Sequence, residues 1–259
     1  MIGCNGGLLG AARTSRRGAA VGIWTPNEQV VYQRQNAWIG DASFDSVSLL
    51  LHMDGSNGST TFTDSSKNAL SVTANGNAQI STAQSKFGGS SLYLDGSGDY
   101  LSVAANSVFE FGASSFTWEA WIYINSLSAV NGLYYYGSGN PNRLQIAVLT
   151  DGSFQAYMET ASSFVDLLSS ASAVTANTWT HLAVSRDGNT WRSFVNGIVA
   201  ATATSSLAAP AGQSPNIGFA VTSSTNRYCN GYIDDFRITK GIARYTANFT
   251  APTAPFPNA

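Results

Sequence analysis

The sequence predicts an all-β fold: a two-sheet antiparallel jelly-roll sandwich preceded by an extended N-terminal arm. Three observations carry this. From Ser48 onward, residues alternate between apolar and polar or run in short apolar stretches enriched in Val, Tyr, Phe, Trp and Thr, the mark of strands. Asp151-Gly152, Asp187-Gly188 and Asn196-Gly197 each separate two such runs, which is the signature of a tight hairpin. No long amphipathic helix interrupts them, so parallel strand-helix-strand folds are excluded. One core accounts for 259 residues, because β-sandwiches of about 200–250 residues fold as single domains.

Taken in order, residues 1–44 form the arm and residues 45–259 the jelly-roll domain. The arm opens with the Gly-rich run from Gly3 to Gly10, passes through Arg13, Arg16 and Arg17, and ends in a segment from Ile23 to Trp38. Thr25, Pro26 and Glu28 have the arrangement of a helix start, with cap, first-turn proline and capping acid. Large apolar side chains on a segment without a core seek another surface. Trp24, Val31, Tyr32 and Trp38 are therefore the candidate anchors, either on a partner subunit or on the chain's own sandwich. In the domain, Leu144–Leu149 turns at Asp151-Gly152 into Phe154–Met158. Trp179–Val184 turns at Asp187-Gly188 into Trp191–Val195, and Asn196-Gly197 leads back through Ile198–Thr202.

Only 11% of residues are charged and the net charge is −2. That balance argues against nucleic acid as a partner and suits a protein working outside cells or within a large assembly. Cys4 and Cys229 show neither zinc spacing nor a disulfide framework and read as free thiols. No run of eighteen apolar residues and no secretory signal is present, so the chain is expected to be made in a cytoplasm and to stay soluble, with no membrane partner.

Catalytic constellations are expected to be absent. The glutamates are Glu28, Glu110, Glu119 and Glu159. Glu119 has no carboxylate two residues away, so it reads as a hydrogen-bonded sheet residue rather than half of an acid pair. His52 and His181 lack a nucleophile partner. For ligand binding, Tyr134, Tyr135, Tyr136 and Trp191 are candidate sugar platforms with Arg143 or Asn140 to bond hydroxyls; alternation sets Tyr134 and Tyr136 on one face and Tyr135 on the other. Core packing is the competing reading of the same rings.

An ordered set of motifs then resembles the laminin G-like, concanavalin A-like family in the form found in bacteriophage structural proteins. These are Leu49-Leu-Leu-His-Met-Asp-Gly, Phe87-Gly-Gly-Ser-Ser-Leu-Tyr-Leu-Asp-Gly-Ser-Gly-Asp-Tyr-Leu and Phe116-Thr-Trp-Glu-Ala-Trp-Ile. Trp179 through Asn196-Gly197 and the closing Gly231-Tyr-Ile-Asp-Asp-Phe-Arg-Ile-Thr-Lys-Gly-Ile-Ala-Arg-Tyr complete it. The arm also looks like the leader of phage members. The resemblance implies that the first and last strands pair in one sheet, hiding edges. Phe236 and Ile238 should face the core, with Asp234 on their side by period-2 geometry.

It also implies a structural calcium ion on that rim, held by the Asp234 side chain with Asp54 and a backbone carbonyl near Gly96; hydrogen bonds alone are the alternative for Asp234. The function implied is that of a non-enzymatic virion structural protein, attached by its arm as a capsid decoration, tail or fibre component. Its partners would be other virion proteins or further copies of itself. The alternative is a carbohydrate-binding adhesion module for host-surface glycans.

Overall fold

The computed structural model describes residues 40–222 and 225–259. The chain divides into two compact units, one of residues 45–256 and one of residues 1–44 with 257–259. In the smaller unit the Asp41 carboxylate accepts the Ser43 amide at 2.9 Å and the Asp41 amide donates to the Ala259 carbonyl at 2.5 Å. The anchor candidates Trp24, Val31, Tyr32 and Trp38, the helix start at Thr25, the arginine cluster and Cys4 lie outside the described residues.

The larger unit is built from strands β1 (Val47–Leu51), β2 (Val72–Asn75), β3 (Gln79–Ser81), β4 (Ser91–Asp95), β5 (Tyr100–Val103) and β6 (Phe116–Ile124). There follow β7 (Asn131–Gly139), β8 (Asn142–Val148), β9 (Phe154–Glu159), β10 (Phe164–Leu168), β11 (Trp179–Asp187) and β12 (Thr190–Val195). The last are β13 (Ile198–Thr204), β14 (Asn216–Ile217), β15 (Phe219–Thr222), β16 (Thr225–Tyr228) and β17 (Asn230–Lys240). One sheet runs β13-β12-β11-β6-β17-β4-β3 with β1 also paired to β17, and the other runs β10-β9-β8-β7-β14-β5-β2. All these pairings are antiparallel. First and last strands do pair, Leu49 opposite Ile238 and Leu51 opposite Phe236. The β12–β13 turn places Asn196 at φ 49° and Gly197 at φ 81°, the double positive φ that makes Asn-Gly the preferred hairpin dipeptide.

Both sheets turn their apolar residues inward. Trp118 packs edge-on to Phe236 at 5.8 Å and lies 6.3 Å from Tyr134, while Phe116 meets Trp191 at 5.4 Å. Cys229 is a free, buried thiol whose pKa burial pushes up to about 12. Among the described residues no helix is long and apolar enough to cross a membrane.

One register expectation fails. A bulge interrupts β17 between Asp234 and Arg237, with Asp235 at φ 47°. The extra residue resets the alternation, as bulges do. Ile233, Phe236 and Ile238 join the core, whereas Asp234 stands opposite Trp121. Asp234 is therefore on the outer side of the sheet, away from Phe236.

Two segments cover the outer faces. The C-terminal stretch after β17 lies over the eight-stranded sheet: Phe249 stacks on Tyr245 at 3.5 Å and meets Phe194 edge-on at 5.3 Å, and Arg237 sits 3.9 Å from the Phe256 ring. Over the seven-stranded sheet lies the β15–β16 hairpin, crossing β7 at Gly132, where a Cβ would overlap the backbone of Phe219, Ala220 and Arg227. Only glycine permits so close an approach.

Candidate functional site

Beyond the hairpin the outer face of the seven-stranded sheet opens progressively from β8, where Arg143 and Gln145 are still buried, through β9 to the edge strand β10. On these strands Leu144, Ile146, Phe154, Ala156, Met158, Val165 and Leu167 belong to the core, so Arg143, Gln145, Tyr157, Glu159, Phe164 and Asp166 point the other way. Register aligns them in two rows. Arg143, Glu159 and Phe164 form one, and Tyr135, Gln145, Tyr157 and Asp166 the other.

Tyr157 and Phe164 stack at 5.7 Å with their planes 24° apart, and Phe164 is 60% exposed. The Arg143 guanidinium lies 5.6 Å from the Tyr157 ring and pairs with Glu159 at 3.0 Å. Gln155 donates to both oxygens of Asp166 at 2.9 and 3.1 Å. Burial, and then the Glu159 carboxylate, raise the Tyr157 pKa, so its hydroxyl keeps its proton. Arg143 Nε and Nη1 and Gln145 Oε1 are buried without a hydrogen-bond partner. Buried polar groups of this kind are rare.

Of the ligand candidates read from the sequence, Arg143 lies on this face. Tyr134, Tyr136 and Trp191 do not: each is at most 1% exposed and packed between the sheets, so none of these rings is available to stack on a ligand. Alternation does set Tyr135 on the opposite face from both, where it meets Phe219 edge-on at 5.6 Å. Sequence reasoning overlooked Tyr157 and Phe164, although the pattern Phe154-Gln-Ala-Tyr-Met-Glu already places Gln155, Tyr157 and Glu159 on one side.

The outer face of the other sheet is closed around Glu119, where the C-terminal stretch crosses it, while Tyr93, Tyr232, Tyr123 and Trp179 stay half-exposed further along. Glu119 Oε1 accepts from Arg237 Nε at 3.0 Å and Nη2 at 2.7 Å, Oε2 accepts from the Tyr245 hydroxyl at 2.7 Å, and His181 Nε2 lies 3.3 Å from Oε2. Burial alone would raise the Glu119 pKa, but Arg237, His181 and Tyr245 together hold it near 2.

For the calcium set the geometry is divided. Asp234 Oδ2 accepts the Lys86 amide at 2.6 Å and the Phe87 amide at 3.0 Å, while Oδ1 is buried and unpartnered. Burial raises its pKa to about 7. Asp54 lies against Gly88, one residue beyond those amides. An orphaned carboxylate oxygen beside a second carboxylate's loop suits a hard cation. Gly96 does not join them: it lies against Asn230, four residues from Asp234 and so about 13 Å away along the strand. No group of three or more His, Cys, Asp and Glu side chains suited to a metal occurs among the described residues. A cation here would thus need backbone carbonyls as well.

Residues 95–243 match the family model described as the concanavalin A-like lectin/glucanases superfamily, in its laminin G form. Comparison with curated protein sequences finds no match. Among solved structures, the binding domain of botulinum neurotoxin DC in complex with SialylT aligns with a TM-score of 0.58 at 17% identity, covering 78% of this chain and 50% of that one. The same toxin's binding domain with rat synaptotagmin II gives 0.59 at 19%, covering 77% and 49%. This chain spans about half the length of these toxin domains. Domain 4 of AbnA, an extracellular arabinanase from Geobacillus stearothermophilus, in complex with arabinotriose, gives 0.57 at 17%, covering 76% of this chain and 94% of that one. At such identities the likeness is one of fold.

Proposed function

We propose a function from one premise: this chain belongs to the concanavalin A-like lectin/glucanases superfamily. A fold of this kind assigns no activity by itself, and the site has to carry the argument. The reading best supported is a non-catalytic carbohydrate-binding module, with Tyr157 and Phe164 as its platform.

The observation that carries it is the stacked, partly exposed ring pair set among Arg143, Gln145, Glu159 and Asp166 on the uncovered face. Aromatic faces bind the C–H faces of sugar rings while nearby polar groups fix hydroxyls. The AbnA domain, of comparable extent and fold, is held with arabinotriose, which supports the same use here. The non-catalytic part is supported by the engagement of the carboxylates. Glu119 is locked beneath the C-terminal stretch, Glu159 is paired with Arg143 and Asp166 with Gln155, whereas glycoside hydrolysis needs one free acid and one free base or nucleophile.

The test is a glycan array followed by affinity measurement on hits. Tyr157→Ala and Phe164→Ala should each weaken binding at least about tenfold, the loss expected when about 1.4 kcal/mol of stacking disappears, with an unchanged circular dichroism spectrum. Undiminished binding by both variants would sink the platform, and release of reducing ends from a bound glycan would sink the non-catalytic reading.

A second proposal concerns where the module works. The division into separate compact units of residues 45–256 and residues 1–44 with 257–259 suits a chain whose leading part attaches and whose sandwich is displayed. With the phage-like motifs, this supports a virion protein serving as capsid decoration or tail component. A calcium ion held by Asp234 and Asp54 would supply positive charge to the orphaned Oδ1 and tie the 86–88 loop to β17, a structural role.

A further inference from the structure

Resting on the reading of the β8–β10 face as a glycan site, we propose that its ligands are neutral glycans and that it discriminates against chains bearing uronate or sialate carboxylates.

The charges on this face decide the matter. Strands β7 to β10 carry one basic residue, Arg143, and two acidic ones, Glu159 and Asp166. Arg143 is buried and its charge is already met by Glu159 at 3.0 Å. Asp166 is exposed on the edge strand, and the Glu159 side chain keeps 22% of its surface in water. The cation is thus withdrawn and compensated, while the carboxylates form the accessible rim around Tyr157 and Phe164. The nearest basic residue beyond these strands on the covering hairpin is Arg227, whose Nε is held by the Thr222 hydroxyl at 2.8 Å. The hairpin crosses β7 at Gly132, five residues and so about 16 Å along the strand from Gly137, the partner of Arg143.

Hydrogen-bonding capacity points the same way. Asp166 is exposed on the edge strand and only accepts, so a sugar hydroxyl can donate to it. A carboxylate on the ligand has no proton to give, and it would bring a third negative group to a rim that holds two. Like charges set against each other are a strong means of excluding a wrong ligand.

The experiment uses the full chain and paired probes that differ only in the acidic residue: lactose against sialyllactose, and unsubstituted against glucuronate-substituted xylo-oligosaccharides, by titration calorimetry at low and moderate salt. The neutral member of each pair should bind at least about tenfold more tightly, the gap narrowing as salt screens the rim. Asp166→Asn, which leaves the Arg143–Glu159 pair in place, should close much of the gap by improving the acidic ligand, and Asp166→Asn with Glu159→Gln should close more. Equal or tighter binding of the acidic member, or a gap untouched by Asp166→Asn, overturns the selectivity. Failure of every neutral and acidic probe overturns the glycan reading itself, and the selectivity with it.

Discussion

Burial drives a carboxylate toward its protonated form, yet Glu119 is wholly buried with a pKa lowered from 4.5 to about 2. The Arg237 fork, the Tyr245 hydroxyl and His181 outweigh the loss of water. Since the folded-state value lies below the unfolded one, the unfolded chain takes up the proton first on acidification. The stabilisation is complete above about pH 4.5 and is lost as pH falls toward 2, a difference of about 3 kcal/mol. Denaturant melts between pH 6 and 2 should show this acid limb. Glu119→Gln should flatten it while costing about 3–5 kcal/mol at neutral pH, because the Arg237 fork and the Tyr245 hydroxyl lose the buried charged acceptor they share. An acid limb of equal steepness in the variant would refute the assignment. Sequence alone made Glu119 legible as a bonded strand residue, since nothing acidic accompanies it in Phe116-Thr-Trp-Glu-Ala-Trp. Its partners were not legible: Arg237 and Tyr245 follow 118 and 126 residues later, and only the folded sheet with its covering segment brings them together.

At the scale of the element, what was readable followed period 2 and turn chemistry, and what was not broke the period. Asn196-Gly197 announces its own hairpin because few other dipeptides tolerate two positive φ values. The three consecutive tyrosines fixed the opposed faces of Tyr134 and Tyr135, but not which face is the interior; that depends on the partner sheet, and it put Tyr134 and Tyr136 inside. The β17 bulge carries no such signature, so period 2 alone sets Asp234 on the side of Phe236, and Asp235 at φ 47° turns it to the other. The outward placement matters to the calcium proposal, for it leaves Oδ1 beside the 86–88 loop rather than in the core. If the ion binds, chelation should lower the melting temperature by about 5–10 °C, as expected for a ligand near a hundredfold its Kd. Asp234→Ala should melt like the chelated protein and ignore chelator. Identical melting of the unsubstituted protein with and without chelator would reduce the site to a hydrogen-bond cluster.

For the molecule as a whole, the two-layer architecture was legible because it follows from a property spread over some two hundred residues, the alternation of apolar and polar side chains. The uncovered face was not, since its position depends on where the β15–β16 hairpin and the closing segment come to rest, and both choices are made by tertiary contacts at Gly132 and Gly197. These coverings belong to the unit of residues 45–256, as do the core and the candidate platform. It follows that removing residues 1–44 should leave a cooperatively folding domain that binds the same glycans with affinities within about threefold, a difference below about 0.7 kcal/mol. If the leading segment is the attachment, the shortened chain should no longer join particles, whereas the full chain should co-sediment with them in fixed stoichiometry. A shortened chain that still assembles would remove the anchoring role from residues 1–44. Loss of glycan binding together with loss of assembly would show instead that the two units depend on each other, and would end the picture of a displayed, self-sufficient module.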